Sequence, residues 1–375
     1  MDLQGLLAQL ARVGVEPTLA PPSAHPALAQ PIKRLCTNSQ ACQPGDVFIG
    51  MPGTRVDGGD FWPGAIAAGA IAAFVSPAAY ANRPPAAHHP TALVLPFADM
   101  AIACAAAARC FYDAPAAAMH LIGVTGTNGK TTTTHLIEAL LNQAHQPTGL
   151  LGTLYARWPG HEAVATHTTP FAVDLQADLA AARAAGCRAV VMEVSSHALD
   201  QKRVWGCPFE VAVFTNLTQD HLDYHPTMAD YFEAKALLFS EAYLRGRAIV
   251  NQADPYGQQL LQRLGDKAWS YSVADATADL YTTDLVYGAN GVQGQLHTPH
   301  GTVPFNLPLV GQFNLANMLA AVGAALHLGV TLEQVAACLP TFGGVPGRME
   351  RVVVSPDQPI SVIVDYAHTP DSLHN

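Results

Sequence analysis

Residues 123–132, Gly-Val-Thr-Gly-Thr-Asn-Gly-Lys-Thr-Thr, constrain the fold more than any other stretch because they predict a phosphate-binding loop. They follow the apolar segment 119–124 and lead into a helical pattern over residues 132–141. In this strand–loop–helix order, glycines let backbone N–H groups turn onto an anion, and the helix N-terminus adds its positive dipole end. The stretch therefore predicts an α/β domain with a nucleotide site.

Two residues of this loop carry the expected chemistry. Lys130 is expected to reach the β- and γ-phosphates, and the Thr131 hydroxyl to meet Mg²⁺. The spacing departs from the usual motif because Val124 stands at the position of its first glycine. We interpret the loop as a tighter variant that begins at Gly126. The alternative is a glycine-rich turn that binds nothing, which the sequence Gly-Lys-Thr-Thr disfavours.

The composition excludes several classes of protein. Half of the 375 residues are hydrophobic, which is enough for two or three domains with their own cores. The net charge of −10 at pH 7 argues against sequence-independent binding of nucleic acid. The seven cysteines form no C-x-x-C pair, and the longest apolar runs, 64–75 and 101–108, are too short to span a bilayer. We therefore expect a cytoplasmic protein with reduced thiols and no membrane insertion.

The order of the predicted elements indicates three domains. Residues 1–113 are interpreted as a small α/β domain that ends in a helix over residues 99–112. Residues 114–345 alternate buried strands and helices, which is typical of a doubly wound, mostly parallel sheet. Residues 346–375 open a new strand and then stop. We expect them to be the start of a third, Rossmann-like domain in a truncated chain.

Three further segments have predicted structures. The N-terminal residues 1–13 are expected to form a short amphipathic helix with Asp2 near its start. The proline-rich stretch 77–90 is expected to be a surface connection. Residues 281–309, with several glycines, are expected to form a β-ribbon inserted into the edge of the large sheet.

Polar residues follow two of the predicted buried strands. Glu193 lies near the end of the apolar run 189–194, where a partly desolvated carboxylate could ligate Mg²⁺. On its own, such a glutamate is more typical of a helix cap. After the strand 211–215, two carboxylates and two imidazoles lie within residues 220–225 and could hold a second metal. A loop capped by its own hydrogen bonds is the alternative for this cluster.

Two further groups of residues give weaker signals. Lys235 lies on the mostly apolar helix 228–238, where a lone lysine usually extends to water. Arg348 follows a glycine near a domain junction and could clamp a γ-phosphate, and Asp365 could bind a ribose hydroxyl. An ordinary surface ion pair is the alternative for these two residues.

Together, these motifs resemble those of the Mur ligases in order and in approximate spacing. The resemblance covers the chain from about residue 38 to its last residue. It points to the family member that adds the third peptide residue to UDP-N-acetylmuramoyl-L-alanyl-D-glutamate in peptidoglycan synthesis. The motifs that carry it are Thr-Gly-Thr-Asn-Gly-Lys-Thr-Thr, Glu-Val-Ser-Ser-His-Ala-Leu, Thr-Asn-Leu-Thr-Gln-Asp-His-Leu-Asp-Tyr-His, Gly-Arg-Met-Glu and Asp-Tyr-Ala-His-Thr-Pro-Asp.

The resemblance implies a role for each matching residue. ATP would be held by Gly126, Thr127, Asn128, Gly129, Lys130, Thr131, Thr132, Asn314, Asn317, Arg348 and Asp365, with His368 beside the last. One Mg²⁺ would be held by Thr131 and Glu193, and a second by His221 and Lys235, the latter carbamylated as in this family. Lys130, Lys235 and His221 would be catalytic. The UDP-muramoyl dipeptide would be bound by Ser39, Thr168, Thr169, Ser195, Gln201 and Arg203.

Two positions depart from the family pattern. Asn38-Ser39-Gln40 stands where the family usually has Asp-Ser-Arg in the uridine-binding domain. Ser39 is kept, but an arginine donor is lost, so fewer contacts with uridine are expected there. His167 replaces the asparagine that often precedes the Thr-Thr pair.

The resemblance implies an ATP-dependent ligase that acts on small molecules as a monomer. The γ-carboxylate of D-glutamate would attack the γ-phosphate of ATP to give an acyl phosphate. The amine of a diamino acid, expected to be meso-diaminopimelate, would then attack the acyl carbon. The motif that separates diaminopimelate from lysine in this family lies beyond residue 375.

Two alternatives stay open at this point. A folylpolyglutamate synthase shares the ATP domain and the acyl-phosphate chemistry, but the N-terminal α/β segment 44–75 argues against it. The other alternative is a nucleotide-binding module without turnover. It follows from the expectation that a chain ending at Asn375 lacks most of the domain that binds the amino acid.

Overall fold

The computed structural model describes residues 1–352, 358, 360 and 362–367. The chain forms two compact units. Unit 1 comprises Met1–Pro115, Phe171–Ala180 and Gln201–Gly206, and unit 2 comprises Ala116–Pro170, Ala181–Asp200 and the chain from Cys207 onward. Two short segments that follow residue 115 therefore belong to the N-terminal unit.

Unit 1 contains a four-stranded parallel sheet with the strand order β1-β2-β3-β4. Strands β2 and β3 are buried along their whole length. The strands are β1 (Arg34–Cys36), β2 (Asp46–Ile49), β3 (Ala72–Val75) and β4 (Val94–Pro96). The helices are α1 (Leu3–Arg12), α2 (Trp62–Ala67), α3 (Pro77–Asn82), α4 (Pro85–His88) and α5 (Met100–Phe111).

The predicted first and last helices of unit 1 are confirmed. The Asp2 side chain accepts a hydrogen bond from the Gly5 N–H and so caps α1, and the Asp99 side chain caps α5 through Ile102. Residues 77–90, however, are more than a surface connection, because they contain the short helices α3 and α4. Each begins with a proline, whose fixed φ favours the first helical position.

Unit 2 is built on an eight-stranded sheet with the order β12-β11-β10-β5-β9-β6-β7-β8. The strands are parallel except for the antiparallel edge hairpin formed by β7 and β8. The strands are β5 (His120–Thr125), β6 (Thr148–Leu151), β7 (Tyr155–Trp158), β8 (His161–Val164), β9 (Ala189–Glu193), β10 (Phe209–Phe214), β11 (Leu244–Asn251) and β12 (Ala268–Tyr271). The predicted α/β class with a mostly parallel sheet is confirmed.

Seven further α-helices follow in the described part of the chain, and the first, α6, begins at Lys130 directly after the glycine loop. Most of α7 belongs to unit 1. Helix α11 is buried through most of its length and packs with β5, β10 and α6 in one apolar core. The helices are α6 (Lys130–Gln143), α7 (Ala172–Ala184), α8 (Ser196–Asp200), α9 (Met228–Ala236), α10 (Pro255–Leu264), α11 (Gln312–His327) and α12 (Leu332–Cys338).

The predicted β-ribbon forms a sheet of its own. Strands β13 (Tyr281–Gly288), β14 (Gly291–Thr298) and β15 (Gly301–Leu307) pair antiparallel in a three-stranded sheet. Leu280, directly before β13, forms a parallel bridge with Tyr271 of the edge strand β12, so the ribbon begins at the edge of the large sheet, as predicted, without adding strands to it. The apolar face of the ribbon fixes its position. Val292 and Leu296 bury against the same core as α11 and α12 and therefore orient the sheet by packing.

The last described elements are β16 (Glu350–Val352) and β17 (Val362–Val364), which form an antiparallel pair. The strand predicted near residues 361–365 is thus present, whereas its assignment to a third domain stays a prediction. His368 lies outside the described residues. Among the described residues, every helix is too short or too polar to cross a membrane.

Candidate functional site

The phosphate loop, residues 126–132, connects β5 to α6 in a conformation that two glycines make possible. Gly126 has φ +148° and Gly129 has φ +86°. A Cβ atom on Gly126 would lie 1.9 Å from the Thr215 Oγ1, and one on Gly129 would lie 2.4 Å from the Asn317 Oδ1. Both positions are therefore restricted to glycine by backbone conformation and by packing.

The end of β10 holds the phosphate loop in place. The Thr215 hydroxyl donates to the Asn128 carbonyl oxygen at 2.6 Å. The Asn216 carbonyl accepts from the Thr127 N–H, and its side-chain oxygen accepts from the Asn128 N–H, both at 2.9 Å. Because these bonds fix the backbone before any ligand arrives, the loop is preorganised to bind an anion.

Two lysines meet at this loop. The Lys130 Nζ donates to the carbonyl oxygens of Gly126 at 3.0 Å and Thr127 at 2.8 Å, and the Lys235 Nζ donates to the same Gly126 oxygen at 2.8 Å. Lys235 is 1% exposed, so it does not extend to water. Within the described part of the chain, neither ammonium group forms an ion pair with a carboxylate. Lys130, without a carboxylate partner beside the N-terminus of α6, therefore forms a site suited to an anion.

Burial changes the protonation of both lysines. It lowers the pKa of Lys235 well below its usual value, and the nearby charge of Lys130 lowers it further. Burial also lowers the pKa of Lys130, and the negative charge of Glu193 opposes this shift. Tyr231 lies beneath Lys235, whose Nζ is 4.5 Å from the centre of the ring, and the Tyr231 hydroxyl is 3.3 Å from the Thr127 Oγ1. Tyr231 therefore links the loop to the buried lysine.

The predicted ligands of the first Mg²⁺ are both buried. Thr131 lies in the first turn of α6, next to Thr132, and its hydroxyl oxygen accepts from the Arg348 guanidinium at 3.2 Å. The Glu193 carboxylate accepts from the Thr153 N–H at 2.8 Å and from the Thr153 hydroxyl at 3.0 Å. Glu193 does not cap the following helix.

The four polar side chains of residues 220–225 do not converge as predicted. In the described part of the chain, no three of them bring ligand atoms within 4.8 Å of one another. The His225 Nε2 lies 2.9 Å from the Ser196 Oγ, and His221 stays partly exposed beside Asp220. Burial lowers the pKa of His221, Asp220 opposes that shift, and the charges of Lys235 and Lys130 add to it. Among the described residues, this loop therefore shows no preformed cluster of three ligands, and a metal held by it stays a prediction.

Three of the predicted substrate residues lie together in unit 2. The Thr169 hydroxyl donates to the Glu193 carbonyl at 2.9 Å and accepts from the Ser195 N–H at 3.0 Å. The Ser195 side chain accepts from the N–H of Ala198 at 3.2 Å and so caps α8. Thr168 accepts from the Thr153 hydroxyl at 3.2 Å. These residues form one polar group around Glu193.

The other predicted substrate residues lie in unit 1. The Gln201 side-chain oxygen accepts from two nitrogens of the Arg203 guanidinium, at 3.0 and 2.7 Å. That guanidinium lies over the ring of Phe171, 4.0 Å from its centre. Ser39 opens a 3-10 helix, Ser39–Ala41, which Asn38 caps by accepting from the Gln40 N–H. Gln201 and Arg203 thus form a fixed pair.

The residues predicted to bind adenine and ribose are engaged within the protein. The Asn317 Oδ1 accepts from the Thr133 hydroxyl at 3.3 Å, and its Nδ2 donates to the Asn314 Oδ1 at 3.3 Å. Asn314 donates in turn to the Val310 carbonyl at 2.8 Å. The Asp365 carboxylate accepts from the N–H groups of Met349 and Ala367, both at 2.7 Å.

Four residues that shape this site were not among those predicted from the sequence. Thr215 and Asn216 hold the loop, Thr153 holds Glu193, and Tyr231 supports Lys235. The polar residues at positions 215 and 216, at the end of the predicted strand 211–215, were an available signal for the first two. Thr153 and Tyr231 gave no such signal, because only the tertiary structure brings them to the site.

Comparisons with known proteins agree on one family. The family described as Mur ligase middle domain matches residues 124–325, and the one described as Mur ligase family, catalytic domain, matches residues 31–112. The UDP-N-acetylmuramoyl-L-alanyl-D-glutamate--2,6-diaminopimelate ligase of Nostoc sp. (strain PCC 7120 / SAG 25.82 / UTEX 2576) is 64% identical over 345 residues, which are 92% of this chain and 69% of the relative.

Two further comparisons agree. The ligase of the same name from Synechocystis sp. (strain ATCC 27184 / PCC 6803 / Kazusa) is 58% identical over 378 residues, covering 100% of this chain and 74% of the relative. A solved structure of a protein of that name superposes with a TM-score of 0.79 at 31% identity, over 94% of this chain and 70% of the other.

Proposed function

Because this chain belongs to the Mur ligase family, we propose that it is an ATP-dependent ligase of peptidoglycan synthesis. It joins 2,6-diaminopimelate to the D-glutamate of UDP-N-acetylmuramoyl-L-alanyl-D-glutamate, the reaction for which its relatives are named. The observation that carries the proposal is the preorganised glycine loop at the N-terminus of α6, where the Lys130 ammonium bonds only to carbonyl oxygens and can turn to a polyphosphate.

The residues of the phosphate loop fit ATP and Mg²⁺. Packing against Thr215 and Asn317 restricts Gly126 and Gly129 to glycine and holds the loop in one conformation, in which Lys130 and Arg348 would hold the phosphates. Thr131 and Glu193 would hold one Mg²⁺ through oxygen atoms, the ligands that this ion prefers. When bound, ATP supplies the phosphoryl group that converts the γ-carboxylate of D-glutamate into an acyl phosphate, while Mg²⁺ neutralises charge.

The Lys130 ammonium is placed to bind the phosphates of ATP. Its present hydrogen bonds are to carbonyl oxygens, so it can turn to a phosphate without breaking an ion pair. Its positive charge would stabilise the negative charge that spreads over the transferring oxygens. The side chains of Asn314 and Asn317 form hydrogen bonds within the protein. We therefore assign them to supporting the phosphate loop and not to direct contact with adenine.

We assign a second metal site to His221 and a carbamylated Lys235. The lowered pKa of Lys235 makes its neutral amine available to CO₂, with which it would form an N–C bond, release a proton and become a carboxylate. The lowered pKa of His221 keeps its imidazole neutral, as a metal ligand must be. The buried lysine would thus supply the anion that residues 220–225 do not provide together.

The muramoyl dipeptide is assigned to both groups of polar residues. In unit 2, Thr168, Thr169 and Ser195 offer hydroxyl groups next to Glu193. In unit 1, Arg203 offers a guanidinium whose orientation Gln201 and Phe171 fix, and Ser39 offers a hydroxyl group. These roles follow from the family resemblance. We also propose a monomer that acts in the cytoplasm, with the meso isomer as the preferred diaminopimelate.

A ligation assay tests this function. The chain is mixed with ATP, Mg²⁺, the UDP-muramoyl dipeptide and diaminopimelate, and phosphate release and product mass are measured. We expect one phosphate for each amide formed, and much weaker activity with lysine. Activity confined to a folate substrate with glutamate would establish the folylpolyglutamate alternative instead. Saturable binding of the dipeptide without any product would support a binding module without turnover.

A further inference from the structure

Two buried cysteines bracket the exposed loop that carries Ser39 in unit 1. Cys36 is the last residue of β1, and Cys42 directly follows the 3-10 helix Ser39–Ala41. The cysteines are 7% and 8% exposed, whereas four of the five residues between them are exposed. Both pack in one apolar cluster with Trp62. We call residues 37–41 the Ser39 loop.

The two thiols lie close together at the base of this loop. Their sulfur atoms and an oxygen of the Asp46 carboxylate all lie within 4.8 Å of one another. The Cys36 thiol donates to the Asn38 carbonyl oxygen at 3.1 Å and thereby fixes the start of the Ser39 loop. Burial, together with a hydrogen bond to Cys36, raises the pKa of Cys42 to about 12, so it rests as a thiol.

The surroundings favour reaction between the thiols over binding of a metal ion. The Asp46 carboxylate already accepts from the Arg34 guanidinium at 2.7 Å and from the Gln43 N–H at 2.9 Å. A divalent cation at this point would lie next to the positive charge of Arg34, and Asp46 would have to give up its existing bonds. Neither thiol is part of an ion pair, so their reaction gives up only the hydrogen bond from Cys36 to the Asn38 carbonyl.

We propose that Cys36 and Cys42 form a reversible intrachain disulfide when a peroxide oxidises the protein. One sulfur attacks hydrogen peroxide to give a sulfenic acid and water, and the second sulfur then displaces water from it. In total, two S–H bonds break, one S–S bond forms, and the peroxide is reduced to two molecules of water. A thiol reductant reverses the reaction by exchange.

Oxidation changes the Ser39 loop directly. The Cys36 thiol loses the proton that it donates to the Asn38 carbonyl, so the start of the loop loses one hydrogen bond. At the same time, the new bond closes a small ring around the five loop residues. We therefore expect the oxidised Ser39 loop to bind the uridine end of the substrate with lower affinity. This effect on affinity rests on the proposed function, whereas the disulfide itself does not.

Peptide mapping of the native protein tests the bond. Trypsin should release both cysteines in the single peptide 35–55, which loses two hydrogen atoms when the disulfide forms. After hydrogen peroxide treatment at mildly alkaline pH and alkylation, we expect this peptide to be unalkylated and to regain both labels after reduction with dithiothreitol. Cys110, equally buried in the same unit, is the control and should stay a free thiol.

Three results of this experiment would overturn the proposal. They are a peptide 35–55 that stays fully alkylated, its irreversible oxidation to sulfinic acid, and a tightly bound zinc ion that is lost in Cys42→Ser. Cys36→Ser and Cys42→Ser must each melt like the parent protein and form no intrapeptide bond, while Cys110→Ser must still form it.

The ligation assay then tests whether the Cys36–Cys42 disulfide changes binding of the UDP-muramoyl dipeptide. In the oxidised protein, we expect the KM for the UDP-muramoyl dipeptide to rise several-fold with kcat little changed, and dithiothreitol to restore it. Cys42→Ser should not respond to peroxide. An oxidised protein with an unchanged KM would contradict the effect on substrate binding. Absence of ligation in both redox states would overturn the proposed function and leave the mapped disulfide in place.

Discussion

The phosphate loop of unit 2 and the Ser39 loop of unit 1 both follow the carboxyl end of a strand in a parallel sheet, yet they are held differently. The phosphate loop follows β5, which has strands on both sides, and its backbone bonds to residues about 90 positions later in the chain. The Ser39 loop follows the edge strand β1 and is held by residues within its own neighbourhood.

The difference teaches how each loop can serve its ligand. A loop fixed by distant partners keeps one conformation, which suits catalysis because charges must already point at the reacting atoms. A loop fixed by a few local bonds can adjust to its ligand, and its conformation can be changed by one covalent modification, such as a disulfide. Substitutions in the two loops should therefore differ in size and in kind.

The largest effect is expected from Gly126→Ala. The added Cβ would lie 1.9 Å from the Thr215 Oγ1 at a φ of +148°, so the phosphate loop would have to move. We expect at least a thousandfold loss of ligase activity and about 3 kcal/mol lower stability. Gly160→Ala is the matched control, because Gly160 also has a positive φ but nothing lies within 4 Å of its added Cβ. Equal losses in activity for the two variants would contradict this account.

Lys130→Ala should remove catalysis without harming the fold. The ammonium bonds to two carbonyl oxygens and to no carboxylate in the described structure, so its loss breaks no ion pair. We expect kcat to fall about a thousandfold while the melting temperature stays the same or rises. Lys267→Ala, which removes an exposed lysine paired with Glu241, is the control and should keep full activity. Strong destabilisation by Lys130→Ala would show a structural role instead.

Lys235→Met should stabilise the protein in a pH-dependent way. The pKa of Lys235 is lowered by folding, so between its folded and unfolded pKa values the unfolded chain binds more protons and stability rises with pH. We expect the variant to be more stable by about 2 kcal/mol near pH 7, with the difference shrinking towards about pH 10. Urea unfolding of both proteins across this pH range measures the difference in unfolding free energy. The buffer is free of CO₂ and contains a chelator, so that Lys235 is neither carbamylated nor bound to a metal. A gap that is constant with pH would contradict the lowered pKa.

The smallest effect is expected from Ser39→Ala. The hydroxyl group lies in a mostly exposed loop, so its loss should change stability by no more than about 0.5 kcal/mol. We expect the KM for the UDP-muramoyl dipeptide to rise several-fold and kcat to stay unchanged. Gln40→Ala, next to it and exposed, serves as the control. A loss of kcat comparable with that of Lys130→Ala would remove the contrast between the loops.

Local patterns predicted much of the structure. The strand–loop–helix motif, the cap at Asp99 and the apolar runs of β9 and β10 lie within short windows, where period and capping chemistry are visible. Strands β1, β6, β7, β8, β12 and β16 went unpredicted. Strands β7 and β8 are short and at least partly exposed, so they lack the apolar run that marks a buried strand.

The sequence by itself determined the family, the nucleotide loop and the identity of the residues that carry charge, because these depend on residue types at fixed spacings. Only the tertiary structure decided that Lys235 is buried against Gly126 and that Asn317 lies under Gly129. It also decided that Cys36 and Cys42 meet beneath an exposed loop. Each of these contacts depends on how strands and helices pack, and packing joins positions whose distance along the chain carries no local signal.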